Sequence, residues 1–163
     1  EYDLSYRVLS ADTPLKPSSI YSSSKAALYL ALQHWLPALG IDFVWCRLFY
    51  LHGDGEDGRR LVPTLRRNLE SGQEVELTSG RQIRDFLDVN EVAQKIVKAS
   101  TSGAKGALNI CSGQPITVRQ LAERIADEYG RRDLLRFGVR PENAVDPPCV
   151  LGIPSDLSTS NSL

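Results

Sequence analysis

The sequence predicts an α/β fold with a mostly parallel sheet, and three observations predict it. Short, nearly continuous apolar runs recur, as strands buried on both faces of a parallel sheet do. Between them lie segments whose apolar residues repeat at helix spacing, several opened by capping residues and closed by glycine. Runs and helical segments alternate along the chain, the order that βαβ units leave in a sequence. No internal repeat is visible.

Taken in order, residues 1–18 form a polar, Pro-containing lead-in. Ile20 to Leu39 predicts a helix, because Ala26, Ala27, Leu30, Ala31, Leu36 and Leu39 recur at helix spacing and Gly40 follows as a stop. Ile41 to Phe49 predicts a strand buried on both faces, and His52 to Arg60 a loop. Leu61 to Leu69 predicts a helix with Pro63 in its first turn, where the missing N–H has no partner to lose. Val75 to Thr78 and Arg84 to Leu87 are short strands. Asp88 with Glu91 makes a variant capping box, opening a helix through Val92, Ala93, Ile96 and Val97 to near Ser100. Ala107 to Cys111 is a further buried strand. Thr117 with Gln120 caps a helix from Leu121 to Tyr129, which Gly130 stops. Leu134 to Phe137 and Val150 to Ile153 are weak strands around a loop holding Pro141, Pro147 and Pro148. The Ser-rich tail, Ser155 to Leu163, reads as disordered.

Composition narrows the function classes. Apolar residues make up 42% and charged residues 24%, near globular averages. A net charge of −1 supplies no whole-chain attraction to nucleic acid or to an anionic membrane, and neither is expected as a partner. No apolar run approaches the length of a membrane span, and the start carries no signal-peptide pattern. Cys46, Cys111 and Cys149 are scattered and odd in number, and His34 and His52 stand alone. That usage predicts a reduced, cytoplasmic protein without a metal site. The chain has no methionine and begins Glu1-Tyr2-Asp3, which reads as a fragment.

Tyr21 and Lys25 carry the chemistry. Four residues apart on a helix, a phenol and an ammonium project from one face. A phenol ordinarily ionises near pH 10, and a neighbouring cation favours its anion, so the pair can serve as an acid/base near neutrality. The bland alternative is a lysine snorkelling past an exposed tyrosine. Ser22, Ser23 and Ser24 between them are poor helix formers that need a reason, and they would let a flat ligand approach closely.

The neighbours extend the pattern. Tyr2-Asp3, Asp12-Thr13-Pro14 and Pro17 to Ala27 resemble the run around the Y-x-x-x-K motif of the extended short-chain dehydrogenases, the nucleotide-sugar epimerases, dehydratases and ketoreductases. Cys46-Arg47-Leu48-Phe49 followed by Gly53 is similar to the strand end that crosses the nicotinamide in that family. Gln82 to Val89 resembles its R-D-[FY]-[IVL]-x-V run, and Leu108 to Gly113 its N-[IVL]-G-[ST]-G turn, with Cys111 in place of glycine. The resemblance covers about residues 1–154, with the motifs in order.

The resemblance implies the C-terminal portion of a Rossmann-type doubly wound sheet plus a small α/β substrate-binding lobe. Residues 1–52 and 84–111 would contribute a pair of strands and a pair of helices to the Rossmann domain; 53–83 and 112–163 would form the lobe. It implies an NAD(P)-dependent oxidoreductase of nucleotide sugars, with hydride moving between nicotinamide and sugar. Tyr21 would move the proton and Lys25 would hold the nicotinamide ribose, with Phe49 beside them at the NAD or NADP. Arg84 would anchor the substrate diphosphate, with Tyr50, Leu61 and Arg140 also on the substrate. Arg59 and Arg60 are weaker candidates for the same anion. Without the resemblance Arg84 reads as a surface arginine paired with Asp85 or Asp88. Tyr50 stands where many epimerases and dehydratases of the family carry Asn, which leans the reading to a 4-ketoreductase. The family's glycine-rich loop and active-site Ser/Thr would precede Glu1, so the isolated chain is expected to be inactive. A homodimer through the Tyr21–Lys25 helix is implied. The alternative from another class is a non-catalytic, dinucleotide-sensing or scaffold member of the same fold.

Gly53 to Gly58 spells G-x-G-x-x-G, the dinucleotide fingerprint. Asp54, Glu56 and Asp57 would repel a pyrophosphate, and the preceding strand is expected to end several residues too early. A loop at the mouth of a cleft is the better reading.

Overall fold

A computed structural model describes residues 1–157. Four α-helices alternate with nine short strands in a mixed, mostly parallel α/β arrangement. Helix α1 spans Ile20–Ala38 and opens on Ser19, whose hydroxyl accepts from the Ser22 amide while Ser22 answers Ser19 in a reciprocal capping box. Gly40, at a φ of 72°, ends the turn that follows. Strand β2 (Val44–Leu48) lies parallel to β6 (Gly106–Ile110), with Cys46 opposite Leu108. Helix α3 (Val89–Thr101) packs Val92 and Ala99 against this pair, in a core with Leu87, Leu108 and Ile110. Tyr29 of α1 lies against Phe43 and Trp45 on the same strand region. These two strands and two helices come from the segments that the sequence grouped together.

The second sheet runs β1 (Val8–Leu9), β9 (Cys149–Gly152), β5 (Ile83–Asp88), β3 (Tyr50–His52), all parallel, with β7 (Pro115–Thr117) antiparallel to β5. It draws strands from both groups of segments. A third unit pairs β4 (Val75–Leu77) with β8 (Leu135–Phe137) under α2 (Leu61–Glu70) and α4 (Val118–Glu128). Its core is apolar throughout: Val62, Leu65, Leu69, Leu77, Ala122 and Ile125 are buried together.

Several sequence expectations are corrected. The apolar run 41–49 is strand only over Val44–Leu48, and the chain changes partner at Phe49, so that Tyr50–His52 pairs with β5 instead of β6. A continuous apolar run cannot record such a change. Strand β3 therefore reaches Gly53 directly, where a loop was expected from His52. The Asp88 carboxylate caps α3 chiefly by accepting from the Asn90 amide, with the Glu91 amide as a weaker second donor. The capping box of Thr117 with Gln120 is present, but α4 begins at Val118. Of the tail read as disordered, Ser155 exchanges hydrogen bonds with the Asn109 backbone and Leu157 is buried in the α3 core. Residues 158–163 of that expectation lie outside the described residues. Most of the apolar positions of α1 face outward; Ala26 alone of its residues is fully buried.

Candidate functional site

Two cavities flank Tyr50. The larger, about 560 Å³, is lined by Tyr21, Ser22 and Lys25 from α1 and by Cys46, Leu48 and Phe49 from the end of β2. The smaller, about 340 Å³, is lined by Arg84, Phe86 and Gln82 of the β5 region together with Leu61, Arg140 and Asp146. Tyr50 and Arg60 line both. Seven of the site residues expected from the sequence fall on two adjoining cavities: Tyr21, Lys25 and Phe49 on one, Arg84, Leu61 and Arg140 on the other, and Tyr50 on both.

The first turn of α1 brings Tyr21 and Lys25 together, with the Lys25 ammonium 5.9 Å from the Tyr21 ring centre. Two of the intervening serines have local reasons. The Ser22 hydroxyl receives the Ser18 and Ser19 amides, and the Ser24 hydroxyl donates to the Tyr21 carbonyl. Capping thus accounts for some of what a closely approaching ligand was invoked to explain.

Beneath the larger cavity lies a polar network absent from the sequence reading. The Arg47 guanidinium is sandwiched between the rings of Tyr2 and Tyr29, 4.6 Å from each centre. It donates to Glu1, to the Tyr2 hydroxyl and to the Ala11 carbonyl. Tyr2 in turn donates to Asn109, whose amide group donates to the carbonyls of Leu9 and Ile153. Burial raises the ionisation of Tyr2 above the ordinary phenol value, against the pull of Arg47. No sequence period marks this network, because hydrogen-bonded partners in it lie up to 107 residues apart.

Arg84 is buried, not superficial, and its partner is neither Asp85 nor Asp88. Its guanidinium donates to Asp146 at 2.6 Å and to the Ile83 carbonyl at 2.8 Å, and stands 5.2 Å over the Tyr50 ring. Burial raises the ionisation of Tyr50, with Arg84 opposing. Asp85 turns the other way. Its carboxylate accepts from the Ser112 amide and hydroxyl at 2.8 and 2.7 Å, from the Gly113 amide at 2.9 Å and from the Gly152 amide at 3.3 Å. The R-D pair thus splits its work, one side chain into the cavity and one into the fold. Cys111, standing where the motif has glycine, fills the space over Gly152: a Cβ there would lie 2.5 Å from its sulfur. Burial first, then the charge of Asp85, pushes the Cys111 thiol up to about 12.

The loop Gly53 to Gly58 bonds part of its polar groups internally. The Glu56 amide donates to the Gly53 carbonyl, the Arg60 amide to that of Asp57, and Asp57 pairs with Arg59. Arg59 accordingly faces solvent and lines neither cavity, while Arg60 caps α2 between them. Among the described residues no three His, Cys, Asp or Glu side chains gather as a metal site would need, and no helix is long and apolar enough to cross a membrane.

A model of the NAD dependent epimerase/dehydratase family matches residues 6–111. The dTDP-6-deoxy-L-talose 4-dehydrogenase (NAD(+)) of Aggregatibacter actinomycetemcomitans is 25% identical over 88% of this chain and 54% of its own length. The structure of UDP-N-acetylglucosamine 4-epimerase from Methanobrevibacter ruminantium M1, in complex with UDP-N-acetylmuramic acid, superposes with a TM-score of 0.80 at 26% identity. It is matched over 93% of this chain and 55% of that one. RMD from Pseudomonas aeruginosa, complexed with NADPH, gives a TM-score of 0.79 at 24% identity over 90% of this chain and 50% of that one, a likeness of fold. The chain spans about a third to a half of the length of the curated relatives it matches.

Proposed function

The chain belongs to the NAD dependent epimerase/dehydratase family, and from that premise we propose that it carries the proton-transfer and substrate-holding groups of an NAD(P)-dependent oxidoreductase of nucleotide sugars. One observation carries the reading: Tyr21 and Lys25 line a cavity that meets, across Tyr50 and Arg60, a second cavity lined by Arg84 and Arg140. A sugar diphosphate needs that order of groups, an acid/base at the sugar and guanidinium forks at the phosphates.

The larger cavity suits a nicotinamide ribose beside a sugar, with an ammonium for hydroxyls and the flat Phe49 and Tyr50 rings as walls. When bound, NAD or NADP supplies the hydride acceptor or donor. Tyr21 takes the proton of the sugar hydroxyl as its carbon is oxidised and returns it on reduction. Lys25 holds the ribose hydroxyls and keeps its positive charge beside the Tyr21 ring. Arg84 and Arg140 grip the diphosphate, and Leu61 packs on the nucleoside. Within the family we place the chain with reductases of 4-keto sugar nucleotides, because Tyr50 takes the position that a substrate-binding Asn holds in many epimerases and dehydratases. The same reading pairs α1 with its mate in a homodimer, through exposed Leu28, Trp35 and Leu39.

The test takes this chain within a polypeptide of its relatives' full length, supplies NADH or NADPH with 4-keto-6-deoxy nucleotide sugars and follows the loss of reduced-nicotinamide absorbance. Oxidation that depends on the keto sugar is expected. Epimer formation without net oxidation would move the chain to the epimerases, and inertness towards every nucleotide sugar would sink the reading.

A further inference from the structure

Among the described residues, two buried side-chain oxygens meet no hydrogen-bond donor, Glu56 Oε2 and Gln82 Oε1, and both residues line the smaller cavity. They arrive from different places, Glu56 from the loop between β3 and α2 and Gln82 from the residue before β5. Buried acceptors are satisfied as a rule, and an unmet one is unfavourable. Two of them on one cavity wall call for an occupant that brings donors.

We propose that this cavity selects guanine as the base of the nucleotide, with Glu56 as the specificity-determining residue; the proposal rests on the nucleotide-sugar reading above. Charge sets the orientation. A diphosphate is drawn to Arg84, Arg60 and Arg140 and repelled by a carboxylate, so Glu56 faces the nucleoside end. Leu61, Leu77 and Phe86 give the cavity apolar walls fit for a flat ring. The hydrogen-bond pattern then chooses among the bases. Uracil and thymine offer one N–H between two carbonyls, which would set a carbonyl against the carboxylate. Adenine and cytosine offer an amino group beside a ring nitrogen that accepts, with the same conflict. Guanine presents N1–H and its 2-amino group side by side, a fork that fits the two oxygens of Glu56, and a second amino hydrogen remains for Gln82.

Calorimetric titration of the protein with GDP, IDP, UDP, dTDP, CDP and ADP tests this. GDP is expected to bind about tenfold or more tighter than the others, the discrimination of one bidentate base contact. IDP, which lacks only the 2-amino group, should fall with the weak ligands. Glu56→Gln should cut GDP affinity by about tenfold and change UDP affinity by less than about threefold. Equal binding of GDP, IDP and UDP, or a uniform loss across all six in the variant, overturns the base assignment and leaves the nucleotide-sugar reading standing. Equal ribonucleotides with dTDP alone weak would assign Glu56 to the ribose and overturn guanine selection. Failure of all six to bind overturns both readings together.

Discussion

The Arg84 guanidinium, its side chain only 3% exposed, closes on the Asp146 carboxylate at 2.6 Å, and both belong to the wall of the smaller cavity. The residue proposed to hold a substrate phosphate already holds an anion of its own chain. A phosphate must therefore compete with Asp146 for the fork.

Arg84→Ala should weaken nucleoside diphosphate binding by about 1.5–3 kcal/mol, the scale of a charge-assisted hydrogen bond. Asp146→Asn should strengthen it by about 0.2–1 kcal/mol, as for release of a partly exposed pair. Calorimetry with the nucleotide alone reads both. Weaker binding in Asp146→Asn would show that Asp146 positions Arg84 instead of opposing the ligand.

In a polypeptide of the relatives' full length, Tyr21→Phe should leave nicotinamide-cofactor affinity nearly unchanged and lower kcat by roughly two to four orders of magnitude, the usual weight of a positioned acid/base. The motive is the placement of Tyr21 beside Lys25 on the larger cavity. Turnover at the parent rate would remove Tyr21 from the mechanism.

The 163-residue chain titrated with NADH or NADPH should show no saturable binding tighter than about 100 μM, roughly −5.5 kcal/mol. The loop Gly53 to Gly58 turns the Glu56 amide onto its own Gly53 carbonyl and carries Asp54, Glu56 and Asp57, whose charge repels a pyrophosphate. A saturating rise in nicotinamide fluorescence would reopen that loop as a phosphate site.

Much of the fold was readable in the sequence. Apolar periodicity marked the four helices, and Thr117 with Gln120 announced its capping box, because both are relations between residues three or four apart. What escaped depends on partners far along the chain. Asp146 sits in a Pro-rich loop whose composition suggests only solvent, yet it meets Arg84 across 62 positions. Glu56 read as one more carboxylate in an acidic turn, and only the cavity around it gives it another meaning. Strand β3 was hidden because its apolar residues continue those of β2 without a break.

Asp85→Ala should cost roughly 2–4 kcal/mol of stability, since it strips the acceptor from the part-buried amides of Ser112 and Gly113 and the buried amide of Gly152 at once. Urea denaturation reads the change. A loss below about 0.5 kcal/mol would mean that water replaces the carboxylate.

The Cys111 thiol sets an alkaline limit. Its ionisation rises from 9.0 in an open environment to about 12 in the fold, so the unfolded chain loses this proton first as pH climbs. Its contribution is complete below about 9 and is lost progressively towards about 12, so stability should fall across that window. Cys111→Ala should flatten the slope in denaturation curves taken through it. The native thiol should also resist thiol reagents at pH 8 until the chain unfolds; prompt labelling of Cys111 in the native state counts against its burial.

Strand β1, at Val8 and Leu9, is completed by β9 at Leu151 and Gly152, and Asn109 fastens Leu9 from 100 positions away. During synthesis Val8 and Leu9 leave the ribosome well before their β9 partners Leu151 and Gly152. They must wait, exposed, until nearly all of the described chain has followed. Val8 and Leu9 are therefore a natural handle for chaperones. A premature stop before Cys149 would remove β9 and with it the pairing of Val8 and Leu9, so the loss would be sensed by proteolysis around β1.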